Sequence, residues 1–290
     1  MQEITLVPFG GLGNRLKTVA SAVRLAIQHG RRLTIYWFRD PGLNCRADTL
    51  FSLSPDAQEY VTLVDSSFPR NLLCDRPRIK NLFIPRILIP LQFRLYLHGD
   101  SLKHKLKEVP DYGTYIFGNR QKGRILISSC WELTNDPEMM DFILPSPAVM
   151  ARRERLMQGW SGRMVGVHIR RGDHGISIAQ SPTSLFIARM EGLIDEDPDT
   201  RFFLATDSIE EREMLQRHFL GRVYTSESTP ERDSADGILD AYAELLTLSA
   251  TSVILGSSRS TFSRLAARIG HSAYHEISLQ APQGADITEL

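Results

Sequence analysis

The stretch ITLVPFGGLGNRLKTVASAVRLAIQHGRRLTIYW, residues 4–37, decides the fold. Ile4–Val7 is a short β-prone run, and Gly10, Gly11 and Gly13 break it. Leu16, Val19, Ala20, Val23 and Ile27 then recur at the spacing of one helical face. Gly30 ends that helix, and Leu33–Trp37 reads as a second strand. Strand, glycine turn, helix, strand is a βαβ unit, which implies a parallel sheet.

Working outward, Val61–Val64 and Ile125–Ser128 read as further strands, while Phe68–Tyr115, rich in proline and basic residues, reads as irregular. Two prolines around Ser146 mark a break at Leu144–Pro147. After a helix at Ala148–Met157 the pattern is cleaner. Strands are expected at Met164–Ile169, Phe202–Ala205, Val223–Thr225 and Ser252–Leu255. They alternate with helices at Thr183–Leu193, Ile209–Phe219, Ile238–Leu248 and Thr261–Ile269. The expected architecture is α/β, with two Rossmann-like domains, 1–145 and 146–275, facing a central cleft. A tail, 276–290, follows, and the stretch from Tyr274 onward either crosses back or is loose. Ligands of such sheets bind at the carboxyl ends of the strands.

A length of 290 residues accommodates two medium domains. Lysine plus arginine equals aspartate plus glutamate at 34 each, so no broad field points to a nucleic acid. An anionic ligand must be held by local arginines. Cys45, Cys74 and Cys130 are widely spaced, which suggests neither a disulfide framework nor a zinc site. The first residues lack the basic and apolar regions of a signal peptide. The most apolar segment, Leu82–Leu97, carries Pro85, Arg86, Pro90 and Arg94, which argues against a membrane span. It is expected to be buried or to line the cleft, with peripheral membrane contact as the alternative. The expected setting is the cytoplasm.

Three motifs fall at strand ends. In Val165–His174, VGVHIRRGDH, alternation points His168 and Arg170 one way and Ile169 the other, with Arg171 at the Gly172 turn. Arginines there suit a phosphate clamp. The alternative is a surface salt-bridge patch in which Asp173 neutralises Arg171. The turn PFGGLGNR, residues 8–15, opens a helix whose free N–H groups would suit an anion. Its GGxG spacing is not the dinucleotide fingerprint, and the plain alternative is a tight turn with Asn14 capping the helix. GSSRSTFS, residues 256–263, joins the last expected strand to the last helix. Its serines and helix N-terminus could hold a pyrophosphate, or Ser260 or Thr261 could simply cap the helix. Asp207 ends a strand, where it could serve a ligand or cap a helix. Asp240 sits in the helix before the serine-rich turn, serving a ligand or facing solvent. Asp195-Glu196-Asp197 matches a metal-holding DxD pattern but reads as a solvated loop.

Taken together, these motifs resemble the superfamily of α1,2-, α1,6- and protein O-fucosyltransferases. Gly10, Gly11, Gly13 and Asn14 match its GGxGN, and His168, Arg170, Arg171 and Asp173 its HxRRxD. Ala205–Asp207 match its ATD strand end, and Ser260, Thr261, Phe262 and Ser263 its closing serine-rich run. The resemblance implies a GT-B architecture and inverting, metal-independent transfer from GDP-fucose, with no cofactor, to a glycan or glycoconjugate hydroxyl. It implies Arg170 on the β-phosphate, His168 beside the nucleotide, Asp240 toward the guanine, Ser260 and its neighbours on phosphate, and Asn14 toward the sugar. Asp173 is the nearest candidate base by sequence, and His174 the next. Competing readings are a GT-B transferase using another nucleotide-sugar and a noncatalytic nucleotide-sugar-binding module.

Overall fold

The computed structural model describes residues 3–40, 42–66, 83–109, 111–118, 123–172, 175–229, 231 and 233–280. The chain divides into two compact units. One is Met1–Ser146 with Arg232–Ala235; the other is Pro147–Glu231 with Asp236–Leu290.

Unit 1 begins with β1 (Glu3–Pro8), α1 (Leu12–Gln28) and β2 (Arg32–Phe38). Then come α2 (Ala47–Leu50), β3 (Phe51–Leu53), α3 (Pro55–Tyr60) and β4 (Val61–Ser66). They are followed by α4 (Phe83–Gln92), β5 (Leu95–His98), α5 (Gly99–Glu108), α6 (Tyr112–Gly118), β6 (Ile125–Ser129) and β7 (Ile143–Pro145). The main sheet runs β4-β2-β1-β6-β5, all parallel. The chain steps outward from β1 through β2 to β4 and then returns on the other side, so β1 and β6 flank the topological switch point. Strands β3 and β7 form a separate antiparallel pair, which places β7 in the expected break. Helix α1 packs on β1 and β2, with Leu16, Val19, Ala20 and Val23 wholly buried.

The described part of Phe68–Tyr115 is regular, contrary to the sequence expectation: it holds α4, β5, α5 and the start of α6. Two of the prolines there are accommodated within a helix. Pro85 lies in the first turn of α4, where a missing N–H breaks no helical bond, and Pro90 lies inside the helix. Burial of Ile89 and Phe93 against Val7, Phe38 and Leu126 holds the segment. Ile87 and Leu91 on the same helix are exposed. Among the described residues no helix is long and apolar enough to cross a membrane.

Unit 2 comprises α7 (Pro147–Leu156), β8 (Met164–Ile169), α8 (Gly175–Gln180), α9 (Thr183–Glu196), β9 (Arg201–Thr206) and α10 (Ile209–His218). It continues through β10 (Val223–Thr225), α11 (Ala235–Leu248), β11 (Val253–Ser257), α12 (Thr261–Gly270) and β12 (Ala273–Ile277). Its sheet runs β10-β9-β8-β11-β12, all parallel. This is the 3-2-1-4-5 order of a doubly wound sheet, with its switch point between β8 and β11. Strand β12 corrects the sequence reading at its end, because the sheet runs through Ile277, two residues into the expected 276–290 tail. The acidic triplet is corrected too: Asp195 and Glu196 end α9, and Asp197 is its C-cap.

The parity of β8 organises unit 2. Val165, Val167 and Ile169 are wholly buried with Phe186 and Met190 of α9, Phe202 and Leu204 of β9 and Leu215 of α10. Gly166, His168 and Arg170 have the opposite parity. On β11, Gly256 is required for space, since a Cβ there would lie 2.5 Å from both Ser263 Oγ and the Tyr274 hydroxyl.

Candidate functional site

His168 and Arg170 stand at the carboxyl edge of β8, beside the end of β11, at the switch point of the unit 2 sheet. Beyond the last ladder pairing, Ser257 continues the join with its side chain. Its hydroxyl accepts from the Arg170 N–H at 3.0 Å and donates to the His168 carbonyl at 3.3 Å. A tight turn follows, in which the Ser260 N–H donates to the Ser257 carbonyl at 3.1 Å. Arg259 in that turn has φ 57°, the left-handed region a non-glycine residue rarely enters. Ser260 is the N-cap of α12, accepting from the Ser263 N–H, and its hydroxyl also lies 3.2 Å from His168 Nδ1. Phe262 stacks on the His168 ring. The first turn of α12 holds no acidic residue. The result is a helix N-terminus, an oriented imidazole and a guanidinium on one edge, which is an anion-binding arrangement.

The serine-rich run divides its work. Ser257 joins the strands. Ser258 is buried, with its N–H donating to Ser181 Oγ at 2.8 Å and its hydroxyl lying 2.7 Å from Glu276. Ser263 is buried, 3.4 Å from the Tyr274 hydroxyl. These three hydroxyls satisfy the protein's own polar groups. Half-buried Thr261 and Phe262, with the backbone of the helix start, face outward.

The two arginines diverge. Arg171 shares the parity of Val165, Val167 and Ile169, and its side chain follows them toward α9 and α10. Its Nε donates to Glu211 at 2.7 Å and its Nη2 to Thr183 at 2.7 Å, while Thr183 donates to the same Glu211 oxygen at 2.6 Å. Among the described residues the carboxylate paired with Arg171 is Glu211, and Arg171 acts as a positioning residue. Arg170 lies 3.8 Å from Asp207. The other Asp207 oxygen accepts from the Arg171 N–H at 2.6 Å. Asp207 thus holds the strand end, and the cap of α10 is Ser208. Asp173 and His174 lie outside the described residues.

Asp240 is tied to Arg152 of α7 at 2.6 Å, and Arg152 also holds Asp236 at 2.6 Å. One helical turn on stands half-buried Glu244, which none of the sequence motifs includes. Burial, followed by the nearby charge of Asp240, pushes its carboxyl from 4.5 up to about 8, against the opposing pull of a Ser226 hydrogen bond and Arg212. A signal for it existed: one acid in the apolar run Tyr242–Leu248, four residues from Asp240 and so on the same helical face.

In unit 1 the glycine turn lies at the carboxyl edge of β1. Gly10 has φ 90°. Gly11 is the N-cap of α1, with no side-chain cap and no acidic residue in the first turn. Asn14 is the third residue of α1, so it does not cap the helix. Gly13 is buried and Asn14 half-buried. Arg15 is wholly internal. It donates to the Gly10 carbonyl at 2.9 Å and to the Phe38 carbonyl, pairs with Asp40 at 2.5 Å and lies over the Trp37 ring. Among the described residues no group of three or more His, Cys, Asp or Glu could hold a metal ion.

Solved fucosyltransferase structures share this fold. The α1,6-fucosyltransferase NodZ of Bradyrhizobium, soaked with GDP-fucose, is similar with a TM-score of 0.60 and 18% identity, over 92% of each chain. A variant of Arabidopsis thaliana FUT1 in complex with GDP gives 0.61 and 15%, over 94% of this chain and 69% of the other. POFUT1 in complex with GDP gives 0.56 and 11%, over 95% and 98%. No protein-family profile and no curated protein sequence matches the chain. The chain shares the fold of these fucosyltransferase structures, with two units each built on a parallel α/β sheet.

Proposed function

We propose that the protein is an inverting, metal-independent glycosyltransferase that moves fucose from GDP-fucose to a hydroxyl of a glycan or glycoconjugate, acting in the cytoplasm. The observation that carries this reading is that His168, the N-terminus of α12 and the Arg170 backbone meet at the carboxyl ends of β8 and β11, with the Arg170 side chain beside Asp207 on the same sheet edge. The fold likeness to enzymes solved with GDP or GDP-fucose supports it.

In this reading the acceptor oxygen attacks the anomeric carbon of fucose, and the bond from that carbon to the β-phosphate oxygen breaks. The bonding pair leaves on GDP, and the hydroxyl proton passes to a base or to water. Negative charge grows on the pyrophosphate during the step. Arg170 and the N–H groups at the start of α12 meet that charge, and so bind the transition state more tightly than the ground state. Thr261 supplies a further hydrogen bond. His168, held by Ser260 and Phe262, lies along the nucleotide. Glu244, with Asp240 one turn before it, faces the guanine donors. Gly11, Gly13 and Asn14 contact the sugar side, and Asp173 is the candidate base.

The test is incubation with GDP-fucose and an acceptor panel, with and without EDTA, and assignment of the product anomer by NMR. The expected result is β-to-α inversion at fucose with full turnover in EDTA. Loss of turnover restored by manganese would overturn metal independence. Transfer from another nucleotide-sugar, or tight GDP binding without turnover, would favour the competing readings.

A further inference from the structure

We infer that the carboxyl edge of the unit 1 sheet holds a subsite for a sugar ring bearing an anionic group, built on Trp131 and the ammonium groups of Lys17 and Lys103. The inference rests on the glycosyl-transfer reading and names the class of acceptor: an acidic glycan.

Trp131 follows β6 by two residues, at the β1/β6 switch point. Its backbone is fixed from two sides. The Trp131 N–H donates to Ser129 Oγ at 2.9 Å. The Thr18 hydroxyl of α1 lies 3.1 Å from the Trp131 carbonyl and 2.8 Å from the Asn14 carbonyl, which couples the indole to the glycine-turn helix. The indole itself is half-buried. Lys103 Nζ of α5 lies 4.4 Å from its ring centroid, and Lys17 Nζ of α1 lies 5.7 Å from it. Phe9 continues the same edge: its N–H donates to the Ser129 carbonyl at 3.0 Å, and its ring stacks on His98.

Among the described residues the ion pairs at this place include one carboxylate, Glu132, for the two ammonium groups. Lys17 is only 8% exposed, yet its carboxylate partner, Glu132, stands 3.5 Å away. Lys103 pairs with no carboxylate among the described residues. Two ammonium groups therefore converge on one indole, and among the described residues only Lys17 is paired with a carboxylate. The buried Lys17 ammonium has Glu132, whereas half-buried Lys103 has no carboxylate partner among the described residues, so an arriving anion would supply the charge that Lys103 lacks. An aromatic face beside it suits the C–H face of a pyranose. A carboxylate or a phosphate on that ring meets the same two ammonium groups.

The test is titration calorimetry on the full chain without donor, using three probes. They are a uronic-acid-containing tetrasaccharide, the same tetrasaccharide with its carboxyls reduced to alcohols, and the reduced form carrying a terminal phosphate. Either charged probe should bind about tenfold more tightly than the neutral one, and the stronger arm names the anion. Lys103→Met should erase the difference while GDP affinity is retained. Equal affinity for all three probes, an unchanged preference in Lys103→Met, or displacement of the acidic probe by GDP would overturn the inference. Failure of the transfer reading would look different: the preference for the charged probe would stand, with no fucose transfer to any acceptor.

Discussion

The ring of Phe262 lies against the imidazole of His168, 4.9 Å between centroids and 24° between planes. Helix α12 therefore fixes the orientation of a strand β8 side chain. Phe262→Ala should free the imidazole, lowering GDP affinity by about three- to tenfold, in line with the worth of a stacked aromatic pair. Phe262→Tyr should retain the stack and the affinity. Equal GDP affinity in the alanine variant would show that the orientation of His168 is irrelevant to the nucleotide.

Arg170→Ala should lower turnover by roughly 30- to 1000-fold, the scale of one lost transition-state contact. Arg170→Lys should recover little, because a point charge does not reproduce the guanidinium fork. The fold should survive, since Arg170 sits at the sheet edge outside the apolar cluster. Arg171→Ala provides the contrast. It removes the contacts to Glu211 and Thr183, so it should lower the melting temperature as well as activity. Melting temperature and transfer rate on the same preparations separate the two roles; wild-type turnover in folded Arg170→Ala would remove the central residue.

Arg15→Met should destabilise the chain by about 3–5 kcal/mol, the range for breaking a buried ion pair from one side. Asp40 and the Gly10 and Phe38 carbonyls would lose their shared donor. Denaturant unfolding of the variant measures the loss, and a change below about 1 kcal/mol would show that the pair is not structural.

Glu244 makes a pH prediction. Its carboxyl titrates near 8 rather than 4.5, so the neutral form dominates at pH 7. Two guanine N–H donors need the ionised form, so GDP binding should release a proton and tighten by up to about tenfold per pH unit as pH rises toward 8. Glu244→Gln should bind GDP more weakly above pH 8 and lose this dependence. The folded protein holds its proton to a higher pH than the unfolded chain, so Glu244 reduces stability progressively as pH rises from 4.5 to about 8. Glu244→Gln should therefore gain melting temperature relative to wild type as pH rises through that range. Calorimetry in buffers of different ionisation enthalpy reads the proton release, and a pH-independent GDP affinity in the wild type would sink the assignment.

Much of this was legible in the chain itself. Strand β8 runs Met164–Ile169, as its apolar alternation predicted, and the same alternation sends His168 and Arg170 to one face. The glycine turn, the ATD strand end and the serine-rich turn all lie at carboxyl ends of parallel strands. These features are local: period, breakers and caps act over a few residues, so a linear reading captures them. Helix α4 was not legible, because proline density outweighed an amphipathic signal that only burial of Ile89 and Phe93 makes decisive.

What the sequence alone determined is the alternation of strands and helices from β8 to α12, α8 apart, and the positions of the polar residues at their ends. What only the tertiary structure decided is which of those residues are already engaged. Arg171 is held by Glu211, 40 residues away, and Ser258 contacts Gln180 and Glu276, 78 and 18 residues away. Asp240 is held by Arg152, 88 residues away, while Glu244 one turn later carries the shifted carboxyl. The physical reason is range. Backbone conformation follows from neighbours a few residues apart, whereas the partner of a charged side chain is set by packing between elements distant in the chain.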